Sequence, residues 1–418
     1  MTVIVENETS VGNNVKILDR VCEKLKCTGC GACSTVCPVN CIEMTTDTEG
    51  FYYPKIDTTK CIGCNKCQKT CPSLTNMANQ NDECITEAFA FIHNDVGVLA
   101  KSSSGGFFSA IAEWTFSKNG IVYGCEYDEH FNAVFRKAES IEEIVTMRGS
   151  KYVESKAWPA YLTIKQALND NRTVLFIALP CQIAGLLSTL NDSERQNLIT
   201  VDLLCHGVPS HKLFKSYLKE LADKKGPIIE YHFRDKKYWG WGSWGTYLYR
   251  ANGKYKEKKL LVDNDYYYGL YFKENNYRES CYRCQYASLP RLSDITIGDC
   301  WNIEEIESTV KSKEGVSLIL VNSNKGKKIF DDIKNSHFSL PIRLDDAIKY
   351  NKTTISPAKR PDQRTDFYSD INKLGFRNAA VKYCKLRYVL PVVARYLPRN
   401  LKKGVKRIVR RSRSSAAR

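Results

Sequence analysis

From residue 88 onward the apolar positions fall into two alternating rhythms. Short apolar runs at 88–93, 121–123, 173–178 and 198–204 predict strands, and apolar stripes with helical spacing at 107–118, 158–168, 183–190 and 212–221 predict helices between them. Such alternation makes a mixed α/β domain. An aromatic-rich, strand-like stretch follows at 228–255, and two more buried strands are expected at 294–298 and 317–321, which makes 88–345 one expected folded body. The polar, patternless stretch at 76–87 predicts a linker between this body and a short N-terminal unit at 20–75. Residues 346–418 form a C-terminal extension.

The N-terminal unit carries neither rhythm and is punctuated by cysteine instead. Cys27-Thr-Gly-Cys30-Gly-Ala-Cys33-Ser-Thr-Val-Cys37-Pro38 and Cys61-Ile-Gly-Cys64-Asn-Lys-Cys67-Gln-Lys-Thr-Cys71-Pro72 both have the C-x2-C-x2-C-x3-C-P spacing of a bacterial two-cluster ferredoxin. Three thiolates two residues apart on a tight loop reach three corners of one iron–sulfur cube, and the fourth ligates the other cube. Cys27, Cys30, Cys33 and Cys71 are therefore assigned to one 4Fe–4S cluster, and Cys61, Cys64, Cys67 and Cys37 to a second. Zinc favours two pairs of ligands over two quartets with a trailing proline. The unit reads as an α+β ferredoxin module, and the chain moves electrons.

Length and composition bound the rest. At 418 residues and 43% hydrophobic, the chain is far larger than a ferredoxin and can build at least one large core. Eighteen cysteines, with no charged and apolar leader pattern at the start, point to a reducing compartment and a cytoplasmic protein. No apolar stretch approaches the roughly 18 residues of a spanning helix, the nearest being the short, interrupted 388–395. Residues 395–418 hold ten Lys or Arg and no acid, and taking those ten from the formal charge of +16 leaves +6. Much of the basic balance thus belongs to a tail, and no nucleic-acid partner is expected. Leu397, Leu401, Val405 and Ile408 share one helical face there, predicting a basic amphipathic helix. Such a helix suits peripheral contact with the inner membrane face or an acidic partner, or is a soluble end with no role.

Ser102, Ser103, Ser104, Gly105 and Gly106 lie between a predicted strand and a predicted helix, where small residues let backbone N–H groups face a phosphate. A turn that only caps the helix has the same composition. Clusters pass one electron whereas most metabolites exchange two, so a flavin is expected as the splitter. Arg148, Gly149, Ser150 and Lys151 offer two cations on a small turn, fit for phosphates, carboxylates or plain solvent. Cys181 and Cys205 each follow the C-terminal end of a predicted strand, the ligand-binding edge of α/β sheets, and Cys281 and Cys284 add a close pair. These four thiols suggest a third 4Fe–4S cluster, with a structural zinc or plain buried thiols as the other readings. Cys22, Cys41, Cys84, Cys125 and Cys384 lack partners at ligand spacing and are expected in the core. His206 sits on the same edge, either as a proton donor or as a hydrogen-bond donor behind a metal ligand, and no catalytic residue is assigned.

One match is a decoy. Gly240-Trp-Gly-Ser-Trp-Gly245 fits G-x-G-x-x-G, but a strand pattern follows it where a nicotinamide-binding turn needs a helix. Tyr238, Trp239, Trp241 and Trp244 around it are expected to pack a β-rich layer rather than to wall a planar ring.

Taken in order, Ser102 to Gly106, Gly149-Ser-Lys-Tyr-Val153, Pro180-Cys-Gln-Ile-Ala-Gly185, Cys205-His-Gly-Val-Pro209, Phe233-Arg-Asp-Lys236, Cys281-Tyr-Arg-Cys284 and Arg291-Leu-Ser-Asp-Ile-Thr-Ile-Gly-Asp299 resemble the family of coenzyme F420 hydrogenase/dehydrogenase beta subunits. The resemblance implies a mixed α/β flavin-binding domain behind the ferredoxin module. It implies an iron–sulfur flavoprotein oxidoreductase that passes electrons between 4Fe–4S clusters, FAD or FMN, and a small-molecule or deazaflavin substrate such as coenzyme F420. A redox partner protein or subunit is implied as well, and the alternative is an electron-transfer subunit with no substrate site. By resemblance, Ser103, Ser104, Gly105, Gly106, Ser150 and Lys151 contact the flavin or its phosphate, and Cys181, Cys205, Cys281 and Cys284 ligate the third cluster. Cys300 competes for one of those positions, because Gly298-Asp-Cys-Trp-Asn302 stands where the family usually has Gly-Asp-Phe-Trp-Gly. Nothing resembles the paired cysteine motifs that hold nickel-iron, so hydrogen activation is not expected on this chain.

Overall fold

A computed structural model describes residues 21–75, 77, 86–311 and 313–384. The basic tail and Cys84 lie outside them.

In the N-terminal unit, β1 (Ile42–Thr46) and β2 (Tyr52–Ile56) pair antiparallel, and the short helices Ala32–Thr35, Lys66–Thr70 and Pro72–Thr75 complete the two cysteine loops. Its core is little more than Val21, Ile42 and a group of cysteines. So small an apolar core leaves metal ligation to hold the fold.

The remaining strands are β3 (Glu87–Ile92), β4 (Ile121–Tyr127), β5 (Ala133–Ala138), β6 (Ser155–Lys156), β7 (Val174–Ala178), β8 (Leu198–Leu203), β9 (Ile228–His232), β10 (Trp244–Ala251), β11 (Lys254–Leu261), β12 (Ile295–Asp299), β13 (Ser317–Val321) and β14 (Phe338–Ile342). Nine of them form one mixed sheet in the order β14-β3-β13-β12-β8-β7-β4-β5-β6, with β12, β8, β7 and β4 parallel at its centre. β7 is buried at every position because both faces of the sheet are covered. Helices Phe107–Ser117 and Asn324–Lys334 bury Phe107, Ile111, Ile329 and Phe330 on one face. Trp158–Asn169 and Pro180–Leu187 bury Tyr161, Ile164, Ile183 and Leu186 on the other. The last of these helices begins three residues before the predicted 183, because Pro180 at its first turn has no N–H to leave unpaired.

The strand-like stretch expected at 228–255 resolves into a separate antiparallel sheet, β9-β10-β11, and the G-x-G-x-x-G run leads into β10 as its pattern predicted. An aromatic layer of Phe214, Tyr217, Tyr231, Phe233, Tyr247, Tyr267 and Tyr268 packs on this sheet. Helix Arg364–Tyr383 adds Phe367, Tyr368 and Phe376 to the same core. No helix among the described residues is long and apolar enough to cross a membrane.

The ferredoxin unit packs directly on this body. Gly31 has φ 76°, and a Cβ on it would stand 2.3 Å from Cβ of Trp158, so only glycine permits the approach. Tyr52 stacks on the His211 ring at 4.9 Å, in the same contact. Burial, with Lys215 and Lys156 nearby, pushes His211 down to about 4. The unfolded chain, titrating near 6.5, takes up this proton first, so stability falls as the pH drops from about 6.5 towards 4 and is insensitive to this group above that window. Replacing His211 with glutamine is expected to flatten the loss of thermal stability between pH 7 and pH 5, as followed by anaerobic calorimetry. An undiminished loss would place the titrating group elsewhere.

Candidate functional site

β3 runs in the same direction as β12, β8, β7 and β4, so five strands open their C-terminal ends onto one edge of the sheet. A cavity of about 280 Å³ occupies that edge. Its walls are largely apolar, from Phe107, Phe108, Phe135, Met147, Tyr152, Ile177, Tyr271 and Trp301, with Arg148, Arg234 and several hydroxyls as polar groups. Ligand pockets span about 300–1,000 Å³ and combine such walls with a few placed polar groups, and this cavity lies near the lower bound.

The structure brings most of the predicted flavin residues to that cavity. Ser103, Ser104, Gly106, Ser150 and Lys151 line it. The Ser103 hydroxyl accepts a hydrogen bond from the Ser150 N–H at 2.9 Å and lies 3.1 Å from the Ser150 hydroxyl, which ties the two predicted turns together. Gly106, with φ 87°, opens the eleven-residue helix Phe107–Ser117, whose first amides lie at the cavity wall. Gly105 does not line the cavity, and a Cβ there would meet the Phe91 carbonyl at 2.1 Å. Its glycine serves the packing of β3 against β13.

Lys151 has a task of its own. Its ammonium donates to the carbonyls of Thr146, Met147, Arg148 and Gly149 at 2.9–3.2 Å, closing the turn on itself. Burial pushes it down to about 8. Arg148 also lines the cavity, its Nε donating to the Ser109 hydroxyl at 3.0 Å, and it makes no ion pair among the described residues.

Sequence reasoning did not assign Arg234 and Asp299 as a pair. Arg234 makes a bidentate ion pair with Asp299 at 2.8 and 3.2 Å and also donates to the Ser103 carbonyl at 3.0 Å, while its Nε is buried without a hydrogen-bond partner. Burial raises the Asp299 carboxyl, but the adjacent guanidinium outweighs this and holds it below the usual range. Trp241 donates to Asp299 at 2.9 Å and stacks on Trp301 at 4.6 Å, so of the four decoy aromatics it supports the cavity wall from behind. The signal was present in Phe233-Arg-Asp-Lys236 and Gly298-Asp299. Their meeting across 65 residues was not.

Cys181 stands in the first turn of Pro180–Leu187, Cys205 just beyond β8, and Cys281 and Cys284 at the turn Glu279–Arg283. All four line a second, smaller cavity, which shares Leu179, Gln182, Cys205 and His206 with the first. Cys300 lines neither cavity and packs with Ile303, Val316 and Leu318. Burial pushes Cys205 up to about 12 and raises Cys181, Cys281 and Cys284, so these thiols lose their protons when a metal replaces them. Among the described residues no three cysteine sulfurs lie within 4.8 Å of one another. Four thiolates on one zinc ion, at about 2.3 Å each, stand about 3.8 Å apart. As placed here, the quartet is too open for a single zinc ion.

The first ferredoxin loop reaches this cavity from outside. A Cβ on Gly185, one turn after Cys181, would stand 2.8 Å from Cβ of Cys30, so the two cysteine groups meet across one helix. Arg278 seals the contact, donating to the Cys27 carbonyl at 2.7 Å, the Tyr52 carbonyl at 2.8 Å and Glu154 at 2.6 Å, with Cys27 Sγ at 3.7 Å. A second buried cation, Arg291, pairs with Asp202 at 2.9 Å beside the four later cysteines. Cys22, expected in the core, hydrogen-bonds both Cys27 and Cys71 and is the main cause of their lowered values, about 6 and about 7. Cys41 approaches Cys37 at 3.5 Å in the same way. Neither falls within the motif spacing, so the sequence carried no sign of either contact.

Another cluster, His93, Glu113 and His337, brings three ligand-type atoms within 4.8 Å of one another. Its hydrogen bonds oppose a metal ion. Nδ1 of His93 accepts the Asp95 N–H at 3.0 Å, and Nδ1 of His337 accepts the Asn94 N–H at 3.3 Å, which puts the proton of each neutral ring on Nε2. The group instead straps the segment before β14 to the loop that follows β3.

Residues 171–340 match the family described as coenzyme F420 hydrogenase/dehydrogenase, C terminus of the beta subunit. Residues 26–74 match a 4Fe–4S dicluster domain, and a second description of such a domain matches 53–102. The F component of the F(420)H(2) dehydrogenase of Methanosarcina mazei is 23% identical over 323 residues, which cover 74% of this chain and 82% of that one. A chain of the xenon-derivatised F420-reducing NiFe hydrogenase complex of Methanosarcina barkeri is 17% identical with a TM-score of 0.44, covering 67% of this chain and 97% of that one. Residues 171–340 therefore carry the C-terminal domain described for coenzyme F420 hydrogenase/dehydrogenase beta subunits, behind a 4Fe–4S dicluster module at 26–74.

Proposed function

We propose that the protein is a cytoplasmic iron–sulfur flavoprotein oxidoreductase. FAD or FMN occupies the 280 Å³ cavity, a third 4Fe–4S cluster is held by Cys181, Cys205, Cys281 and Cys284, and the ferredoxin clusters extend the line outward. The observation that carries this reading is the shared wall of the two cavities, one ringed by four thiols and the other lined by apolar and aromatic side chains. A flavin, when bound, exchanges two electrons with a substrate and single electrons with clusters.

The chain's own residues supply position and charge. Arg234, held by Asp299, keeps a fixed cation at the cavity floor, and Arg148 with the amides after Gly106 faces the phosphate. Burial lowers the His206 value, so its imidazole is neutral at neutral pH and serves as a hydrogen-bonding group between the two cavities. A small organic molecule or a reduced deazaflavin is the two-electron partner, in line with the name of the Methanosarcina mazei relative. A redox partner protein or subunit takes or supplies single electrons, and residues 395–418 give peripheral contact with an anionic membrane surface.

Anaerobic purification with iron, sulfide and flavin counted on one sample tests the proposal. About twelve irons and one flavin are expected, at four irons per cube. Arg148→Glu is expected to weaken flavin binding by about tenfold or more, about 1.4 kcal/mol. About eight irons and no flavin would instead favour an electron-transfer subunit without a substrate site, a reading supported by the relative's name as one part of a dehydrogenase.

A further inference from the structure

The two ferredoxin clusters face different surroundings. Cys27, Cys33 and Cys71 of the first are buried, and Cys30 packs on Gly185. Cys64 of the second is the only exposed cysteine among the described residues, and its neighbour Ile62 is 65% exposed. An apolar side chain this exposed is left uncovered by the described residues. Around it lysines outnumber acids. Lys60, Lys66 and Lys69 are exposed, Lys66 and Lys69 one turn apart on the outer face of Lys66–Thr70. Lys60 pairs with Asp57 at 3.1 Å, whereas no carboxylate pairs with Lys66 or Lys69 among the described residues.

We infer that the face around Ile62 and Cys64 docks an acidic one-electron carrier protein of the ferredoxin or flavodoxin type. This rests on the reading of Cys37, Cys61, Cys64 and Cys67 as ligands of one cluster. Ile62 forms the small apolar centre of the contact, Lys66 and Lys69 its basic rim, and the cluster beside Cys64 is the nearest redox group. One electron passes from the reduced carrier, which is oxidised, to this cluster, which is reduced, with no bond made or broken and no proton moved. A contact of this size belongs to the transient class of redox encounters, whose on-rate comes from opposite charge and is screened by salt.

The test uses the full chain loaded with its clusters and an acidic bacterial ferredoxin, reduced beforehand, as the probe. Stopped-flow reduction of the clusters is expected to slow more than tenfold as salt rises from about 0.02 to about 0.3 M, through screening. It should slow by a similar factor in Lys66→Glu/Lys69→Glu. Carbodiimide cross-linking to the probe, which needs no turnover, is expected to map to Lys66 or Lys69 and to vanish in that variant. Reduction by methyl viologen reports on the clusters alone and is expected to be the same in both proteins. Unchanged ferredoxin kinetics in the variant, or equally fast reduction by a basic carrier, would overturn the docking face. Loss of viologen reduction in the unmodified protein would overturn the cluster reading itself.

Discussion

Replacing Cys281 with serine is expected to take the iron content from about twelve to about eight per chain while leaving both ferredoxin clusters in place. Cys281 lines the smaller cavity with Cys181, Cys205 and Cys284, and no other described cysteine lines it to take its place. The functional consequence follows from position. The first ferredoxin loop meets the body at Gly185, and the larger cavity lies beyond Cys205, so in the proposed function the lost cluster would be the link between them. Electrons supplied to the ferredoxin clusters should then no longer reach the flavin on the timescale of turnover, which stopped-flow traces at cluster and flavin wavelengths resolve. Cys300→Ser is the control, because that thiol is packed among Ile303, Val316 and Leu318. It is expected to keep all twelve irons. The reverse pair of results would make Cys300 the ligand and Cys281 a bystander.

Arg278→Gln is expected to have the largest effect on stability of any substitution at the ferredoxin contact. Arg278 is 1% exposed and its partner Glu154 7%, so removing the guanidinium strands a buried carboxylate together with the Cys27 and Tyr52 carbonyls. Breaking a buried ion pair from one side costs about 3–5 kcal/mol. Replacing both partners by apolar residues, as in Arg278→Met/Glu154→Leu, leaves no unpaired charge and is expected to recover much of the loss. Anaerobic denaturation of the unmodified protein and these two variants measures it. Arg278→Gln should also lower the reduction potential of one cluster, since the guanidinium lies 3.7 Å from Cys27 Sγ and positive charge near a cluster favours its reduced form. A potential unchanged by EPR titration would leave Arg278 as a purely mechanical clamp.

The elements of the body were legible because each is a local pattern. The continuous apolar run of β7 and the stripe of Trp158–Asn169 declare themselves within a few residues. The place of β3 between β14 and β13 is a matter of pairing across more than 200 residues, and no local rhythm encodes it. The site divides in the same way. The strand-edge rule brought Cys181 and Cys205 together in advance, the close pair Cys281 and Cys284 was grouped with them by its spacing, and one cavity is lined by all four. The fold also turned Lys151 inward onto four carbonyls and left Arg148 at the cavity wall, a choice between two cations that depends on the path of the turn.

The two ferredoxin runs were determined by the sequence alone, since the spacing of thiols within one short loop is a matter of bond lengths and the chain carries it wherever it folds. Which cluster faces inward was decided by packing. Gly31 against Trp158, Gly185 against Cys30 and Arg278 against Cys27 join residues up to 251 positions apart, and only the folded surface brings them into contact. That contact buries one cluster loop beside the four later cysteines and leaves Cys64 of the other exposed.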